Sequence, residues 1–132
     1  MSADYADFKH TNITEKIINS AFNVHNALGF GFAEKVYENA LAIELRSLGL
    51  RVRQQEPVEV FYKGQLVGEY FADLVVEDKV IVELKAVRAM DKAFETQLIN
   101  YLKATQMEVG LLLNFSRKVE VKRMVFSHVP SV

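Results

Sequence analysis

Two carboxylates and an amine stand in the most apolar part of this sequence. VIVELKAV, residues 80–87, is a run of β-branched and aliphatic side chains that contains Glu83 and Lys85. YFADLVV, residues 70–76, holds Asp73 in a similar setting. A charge buried without a partner is costly, so these positions need a chemical reason. Side chains two apart on a strand share a face, which groups Glu83 with Lys85 and turns Val80, Val82 and Leu84 the other way. If Glu77-Asp78-Lys79 is a three-residue turn, Val76 pairs with Val80 and Asp73 falls opposite Glu83, with Cβ atoms about 4.5–5.5 Å apart. A two-residue turn slips the register and sends Asp73 to the opposite face. Two carboxylates that close repel unless something positive lies between them. Oxygen ligands of this kind suit a hard cation such as Mg²⁺, which keeps several waters and accepts phosphate oxygens. Lys85 can stabilise charge developing on phosphorus, or orient or deprotonate an attacking water. A metal and a lysine are sufficient equipment for phosphodiester hydrolysis.

The flanking sequence supplies the elements that must position these groups. Asn12 followed by Glu15 predicts a capping box. Ile13, Ile17, Ala21, Val24 and Leu28 then recur at helical spacing, and Gly29 suits the left-handed end of that helix. A second helix runs from about Ala33 to Leu48 on a stripe of Val36, Tyr37, Ala40, Leu41, Leu45 and Leu48, and Gly49 stops it. From Arg51 the period changes: Val58, Val60 and Tyr62 alternate with polar residues as in a strand. Lys63-Gly64-Gln65 turns the chain into a strand over 66–76, and a third strand covers 80–87. A helix over 91–105 carries Phe94, Leu98, Ile99 and Leu102. Strands over 109–115 and 119–126 follow, separated by a turn at Ser116-Arg117. The order is α-α-β-β-β-α-β-β. The piece from 80 to 115 is long enough for a parallel crossover, and the other neighbours are hairpins. The fold class is therefore α/β, a mixed sheet with helices on its faces. Residues 1–10 read as a loose arm and 11–132 as a single domain.

Composition narrows the setting. The chain has 132 residues, half of them hydrophobic and a quarter charged, with a net charge of −1. A nucleic-acid partner would have to be held by a local basic patch, since the overall field is weak. Arg51 and Arg53, Arg88 with Lys92, and Arg117 with Lys118, Lys122 and Arg123 are the groups available. There is no cysteine, hence neither a disulfide nor a thiolate metal site, which fits a cytoplasmic location. The start, MSADYADFKH, is polar and acidic, unlike a signal peptide. No apolar run approaches a membrane span. There is no phosphate-binding glycine loop, dinucleotide fingerprint, helix-turn-helix or zinc spacing.

Asp73 followed by Glu83-Leu84-Lys85 resembles the D…ExK signature of the PD-(D/E)xK nuclease superfamily. Gly31-Phe32-Ala33-Glu34-Lys35-Val36-Tyr37 matches the motif of the small GxxExxY family within it. Gln97-Leu98-Ile99-Asn100-Tyr101 matches the QxxxY of RecB-type nucleases. Ala72 stands where a proline usually precedes the motif aspartate. The resemblance covers nearly the whole chain and implies a restriction-endonuclease-like fold. It implies Asp73, Glu83 and the Leu84 carbonyl as ligands of Mg²⁺ or Mn²⁺, and Lys85 as the catalytic lysine. Glu34 would reach the site from the second helix, and Gln97 and Tyr101 would support the lysine, the water or the phosphate. The substrate would be nucleic acid, DNA before RNA. A chain of this length offers little surface for duplex recognition, so a homodimer or a partner protein would supply the rest.

Each motif has a plainer reading. Glu83 and Lys85 could be a salt bridge on a half-exposed strand, and Asp73 a solvated residue near a turn. Glu34, in the first turn of a helix, favours the macrodipole there. Tyr37 lies on the apolar stripe and reads as core. Gln97 and Tyr101, one helical turn apart, could bond to backbone. His10, His25 and His128 have no metal-ligand spacing. As a whole, the rival to a metal-dependent nuclease is a non-catalytic nucleic-acid-binding or protein-interaction domain that keeps the fold.

Overall fold

A computed structural model describes residues 9–128. Three helices and five strands follow one another as α1 (Thr11–Leu28), α2 (Glu34–Ser47), β1 (Val52–Tyr62), β2 (Gln65–Val76), β3 (Val80–Lys85), α3 (Lys92–Ala104), β4 (Val109–Phe115) and β5 (Val119–Val125). This is the expected order. The strands form one sheet in the order β1-β2-β3-β4-β5. β3 and β4 are parallel, joined by the α3 crossover, and every other neighbour is antiparallel. No helix among the described residues is long and apolar enough to cross a membrane.

Both faces of the sheet are covered. On one, Ile17, Ala21 and Val24 of α1 with Leu41 and Leu45 of α2 pack over Leu74, Val82, Leu84, Leu111 and Leu113. On the other, Leu98, Tyr101 and Leu102 of α3 pack over Val75, Ile81 and Leu112. All seven residues of β4 are buried, which explains why that strand reads as an unbroken apolar run.

Some boundaries differ from the sequence reading for identifiable reasons. α1 begins at Thr11 rather than behind an Asn12 cap: His10 is the N-cap, with φ 56°, and no side chain caps the helix. The His10 carbonyl accepts from the N–H groups of Ile13 and Thr14, so the backbone closes the first turn. The stripe of α2 is rotated, with Val36 and Leu48 exposed and Glu38 buried beside Tyr37, Leu41, Ala42 and Leu45. α2 ends where expected. Gly49 has φ +83°, its N–H bonds the Arg46 carbonyl, and the Leu50 N–H bonds the Leu45 carbonyl, a Schellman arrangement. Of the expected loose arm, residues 1–8 lie outside the described residues. Lys9 pairs with Glu108, and its carbonyl accepts from Arg123.

β3 ends at Lys85, two residues earlier than its composition suggests. Beyond it the fully buried Asn114 replaces the ladder. Its Nδ2 donates to the Val87 carbonyl (2.9 Å) and its Oδ1 accepts from the Val87 N–H (2.9 Å). A third bond from Nδ2 reaches Glu120 Oε1 at 2.8 Å. Asn114 thus fixes the chain just after Lys85. Asn114→Leu, of similar volume, strips both backbone groups of their partner and should lower unfolding stability by roughly 2 kcal/mol in urea titration.

Candidate active site

The geometry of the site starts at the β2–β3 turn. Glu77 and Asp78 both take positive φ (55° and 56°), and the Lys79 N–H bonds the Val76 carbonyl at 3.0 Å. This three-residue turn sets the register Val76 to Val80, Val75 to Ile81 and Leu74 to Val82. One step further lie Asp73 and Glu83, where the side chains take over from the ladder. The Asp73 N–H donates to Glu83 Oε2 (2.7 Å), and the Leu84 N–H donates to Asp73 Oδ2 (2.9 Å). Each carboxylate thus clasps the backbone of the opposite strand. Asp73 and Glu83 are brought together as the register argument requires.

Glu83 is only 4% exposed. Burial, and next the Asp73 charge, push its carboxyl up to about 8; the Asp73 N–H, then Lys85, pull the other way, and the Glu38 charge adds to the rise. Asp73 is also raised, by burial first, against the hydrogen bonds from Leu84 and Gln55. Charging both groups is therefore costly, and below about pH 8 Glu83 keeps its proton. Lys85 is half-buried, with Nζ 4.5 Å from the centre of the Phe94 ring on α3. Among the described residues it forms no ion pair with Glu83 within 4 Å, so the plain salt-bridge reading does not hold.

Two residues that the sequence reading passed over join the pair to α2. Gln55 lies on β1 between Gln54, which pairs with Leu74, and Glu56, which pairs with Ala72. With φ 54°, it sends Nε2 to both Asp73 Oδ1 (3.2 Å) and Glu38 Oε1 (2.9 Å). Glu38 is 3% exposed and also accepts from Gln54 (2.9 Å) and Lys35 (3.0 Å). Glu34 is exposed at the first position of α2, and among the described residues it has no hydrogen bond to Asp73 or Glu83. The α2 carboxylate beside the pair is Glu38, one turn on. Its signal was legible: Glu38, Leu41, Ala42 and Leu45 fall at i, i+3, i+4 and i+7, a carboxylate on a buried stripe. Gln55 gave none, because nothing in its neighbourhood announces a positive φ.

On the other side, Gln97 and Tyr101 line a cavity of about 790 Å³ between α3 and the outer half of the β1–β2 hairpin, with Tyr70 and Phe61 across from them. Tyr101 is 5% exposed, and burial, then the charges of Glu83 and Asp73, push its hydroxyl up to about 12. Its ring lies 5.8 Å from that of Tyr70. Among the described residues neither the Gln97 amide nor the Tyr101 hydroxyl has a hydrogen-bond partner, so the pair does not serve the backbone.

Several other residues weighed in the sequence have structural partners. Tyr37 is fully buried, stacked on Phe115 with ring centres 4.6 Å apart. His25 Nε2 bonds the Ser116 carbonyl (2.8 Å), and His128 Nε2 lies within 3.0 Å of the Leu102 and Met107 carbonyls. Arg51 and Arg53 are paired with Glu77, Asp78 and Glu56. Among the described residues no three of His, Cys, Asp and Glu are grouped so as to hold a metal ion. The donor chemistry of Asp73 and Glu83 nevertheless fits a hard divalent cation: two adjacent carboxyl groups, one of which burial, and next the Asp73 charge, keep protonated near neutral pH.

A folded value of about 8 for Glu83 against the ordinary 4.5 means that the folded state retains a proton the unfolded chain has released between those limits. This contribution to stability is complete below pH 4.5 and disappears as pH rises through 8. Its span is on the order of 4 kcal/mol. Urea unfolding in EDTA at pH 5 and pH 8 should show wild type losing that much relative to Glu83→Gln, which cannot ionise. Parallel pH profiles for the two would remove the buried ionisable group from the account.

No curated protein shows significant similarity to the chain. The crystal structure of SSO0001 shares the fold, with a TM-score of 0.56 at 16% sequence identity, covering 69% of this chain and 48% of that one. The chain thus spans about half the length of that protein. A model of the PD-(D/E)XK nuclease superfamily matches residues 11–124, a stretch that holds Asp73, Glu83, Lys85 and the α3 pair. By its sequence, its α-α-β-β-β-α-β-β sheet architecture and the carboxylates clasped between β2 and β3, the chain belongs to the PD-(D/E)XK nuclease superfamily.

Proposed function

We propose that the chain is a divalent-metal-dependent nuclease of the GxxExxY type, with residues 11–132 acting as one domain. The observation that carries this reading is the Asp73–Glu83 pair, half-buried at Asp73 and buried at Glu83, two carboxyl groups of raised proton affinity next to a lysine with no carboxylate partner among the described residues. Asp73, Glu83 and the Leu84 carbonyl are the groups to hold Mg²⁺ or Mn²⁺. A bound ion supplies charge neutralisation at the scissile phosphate and a more acidic water.

The chain's own residues do the rest. Lys85, held against Phe94, meets the charge that builds on phosphorus as the water oxygen attacks and orients that water. The attacking water gives up a proton to solvent, the P–O bond to the leaving strand breaks, and the released alkoxide takes a proton from solvent. Gln97 and Tyr101 present an amide and a neutral hydroxyl to the strand in the adjoining cavity. From α2, Glu38 holds Asp73 through Gln55. Glu34, the acid of the GxxExxY motif, acts from the exposed rim. The substrate is nucleic acid, DNA before RNA. The absence of cysteine is in keeping with work in the cytoplasm, and a second copy or a partner protein completes duplex recognition.

One observation favours the rival reading. The carboxylates already bond backbone N–H groups, so they also serve as a clasp between strands, which a binding domain could keep without chemistry. Two measurements separate the readings. Millimolar Mg²⁺ or Mn²⁺ should raise the melting temperature of wild type, by about 2.7 kcal/mol of stabilisation at one hundred times Kd, and not that of Glu83→Gln. Cleavage of single- and double-stranded DNA and RNA with Mn²⁺ should fall about 100-fold or more in Lys85→Ala, with the metal-induced shift retained. Equal cleavage by both proteins points to a contaminant and defeats the enzyme reading.

A further inference from the structure

A second cleft opens directly after Lys85, and neither Asp73 nor Glu83 lines it. It has a volume of about 250 Å³ and is lined by Phe30 and Phe32 from the α1–α2 loop, by the chain from Ala86 to Arg88, and by Phe115, Ser116 and Arg117 at the end of β4. None of its lining residues is acidic. Large apolar side chains are usually covered, yet Phe30 and Phe32 are 58% and 48% exposed.

The loop that carries them is built rather than slack. Gly29 and Gly31 take positive φ (+74° and +108°), which a side chain rarely adopts. The Tyr37 hydroxyl donates to the Gly29 carbonyl (2.7 Å) and accepts from the Phe32 N–H (3.3 Å). Tyr37 itself is anchored by its stack on Phe115. The glycine and tyrosine of the GxxExxY motif, which the carboxylate site does not use, thus hold two phenyl rings out toward solvent.

The arginines sort in the same direction. Arg46 donates to the Val52 carbonyl, Arg123 to the Lys9 carbonyl, and Arg51 and Arg53 are ion-paired. Arg88 and Arg117 alone of the six have no hydrogen-bond acceptor or carboxylate partner among the described residues, and both are exposed. Arg117 lies over Phe30, 5.4 Å from its centre, which keeps its guanidinium at the rim. Aromatic faces interleaved with unpaired guanidinium groups bind single-stranded nucleic acid, the rings stacking on bases and the cations meeting phosphates. A duplex keeps its bases stacked and paired, out of reach of such rings.

We propose that this cleft seats an unpaired nucleotide of a single-stranded segment, with Phe30 and Phe32 stacking on the base and Arg88 and Arg117 on the flanking phosphates. The inference rests on the nuclease reading for the class of its ligand, and its test needs no cleavage. The chain contains no tryptophan, so Phe30→Trp introduces a single tryptophan at the cleft, which can be excited selectively at the red edge of its absorption, away from the five tyrosines. In EDTA, an oligothymidylate strand should quench that fluorescence, and a duplex of the same length should not. Phe30→Ala with Phe32→Ala should weaken binding of the strand by about tenfold or more. Arg88→Ala with Arg117→Ala should flatten the plot of log affinity against log salt by roughly 0.7 per arginine. Equal quenching by strand and duplex, or unchanged strand affinity in the double phenylalanine variant, overturns the proposal. Cleavage that depends on Lys85 but not on these phenylalanines would leave the nuclease reading standing and this one fallen. Strand binding that depends on them, without cleavage, would do the reverse.

Discussion

Everything in the site depends on two carboxyl groups that hold each other's backbone. Between Leu74–Val82 and the end of β3 the antiparallel ladder gives way to Glu83 on the Asp73 N–H and Asp73 on the Leu84 N–H. Backbone donors at that depth must be satisfied, and a side-chain oxygen can do so only if the strands stand far enough apart to admit it. The clasp therefore sets the spacing of β2 and β3 while it concentrates negative charge between them. Burial opposes that charge, the hydrogen bonds favour it, and for Glu83 burial wins, which is why its proton is held so firmly.

The surrounding elements reach this clasp by different physical routes. β1 contributes through Gln55, whose left-handed backbone turns an amide toward two carboxylates at once. A non-glycine residue at positive φ is strained, and here the strain is offset by the two hydrogen bonds it permits. α2 contributes a buried acid on an otherwise apolar stripe, and Lys35 and Gln54 share its charge. α3 contributes an aromatic face for the Lys85 ammonium and a hydroxyl of raised proton affinity. The crossover puts α3 on that face of the sheet, opposite the one α1 and α2 cover, so the lysine and the α2 acid approach the pair from different sides.

Asn114 and Tyr37 play parallel parts at some distance from the carboxylates. Each is a buried polar group that satisfies backbone atoms of an irregular segment: Asn114 those of Val87, Tyr37 those of Gly29 and Phe32. Irregular chain cannot satisfy itself as a helix or sheet does, so its shape is decided by the side chain that reaches it. The end of β3 and the loop between α1 and α2 are fixed in this way, and the cleft between them follows.

The sequence by itself determined the order of the elements and the burial of β3 and β4, and it made the meeting of Asp73 with Glu83 conditional on a three-residue β2–β3 turn, which the structure then supplied. These follow from local rules, namely helical and strand periodicity, glycine at helix ends, and a register counted from a turn. It also pointed to Lys85, Gln97 and Tyr101, because strand and helix spacing say which side chains share a face. The tertiary structure alone decided that Glu38 rather than Glu34 is the buried acid of α2, since a small rotation of a helix exchanges neighbouring positions between core and solvent. It alone brought in Gln55, a single backbone conformation selected by partners seventeen and eighteen residues away. Which cations are already neutralised is likewise a fact of three dimensions: Arg51, Arg53, Arg88 and Arg117 look alike in sequence, and only the folding of distant acids onto the first two separates them.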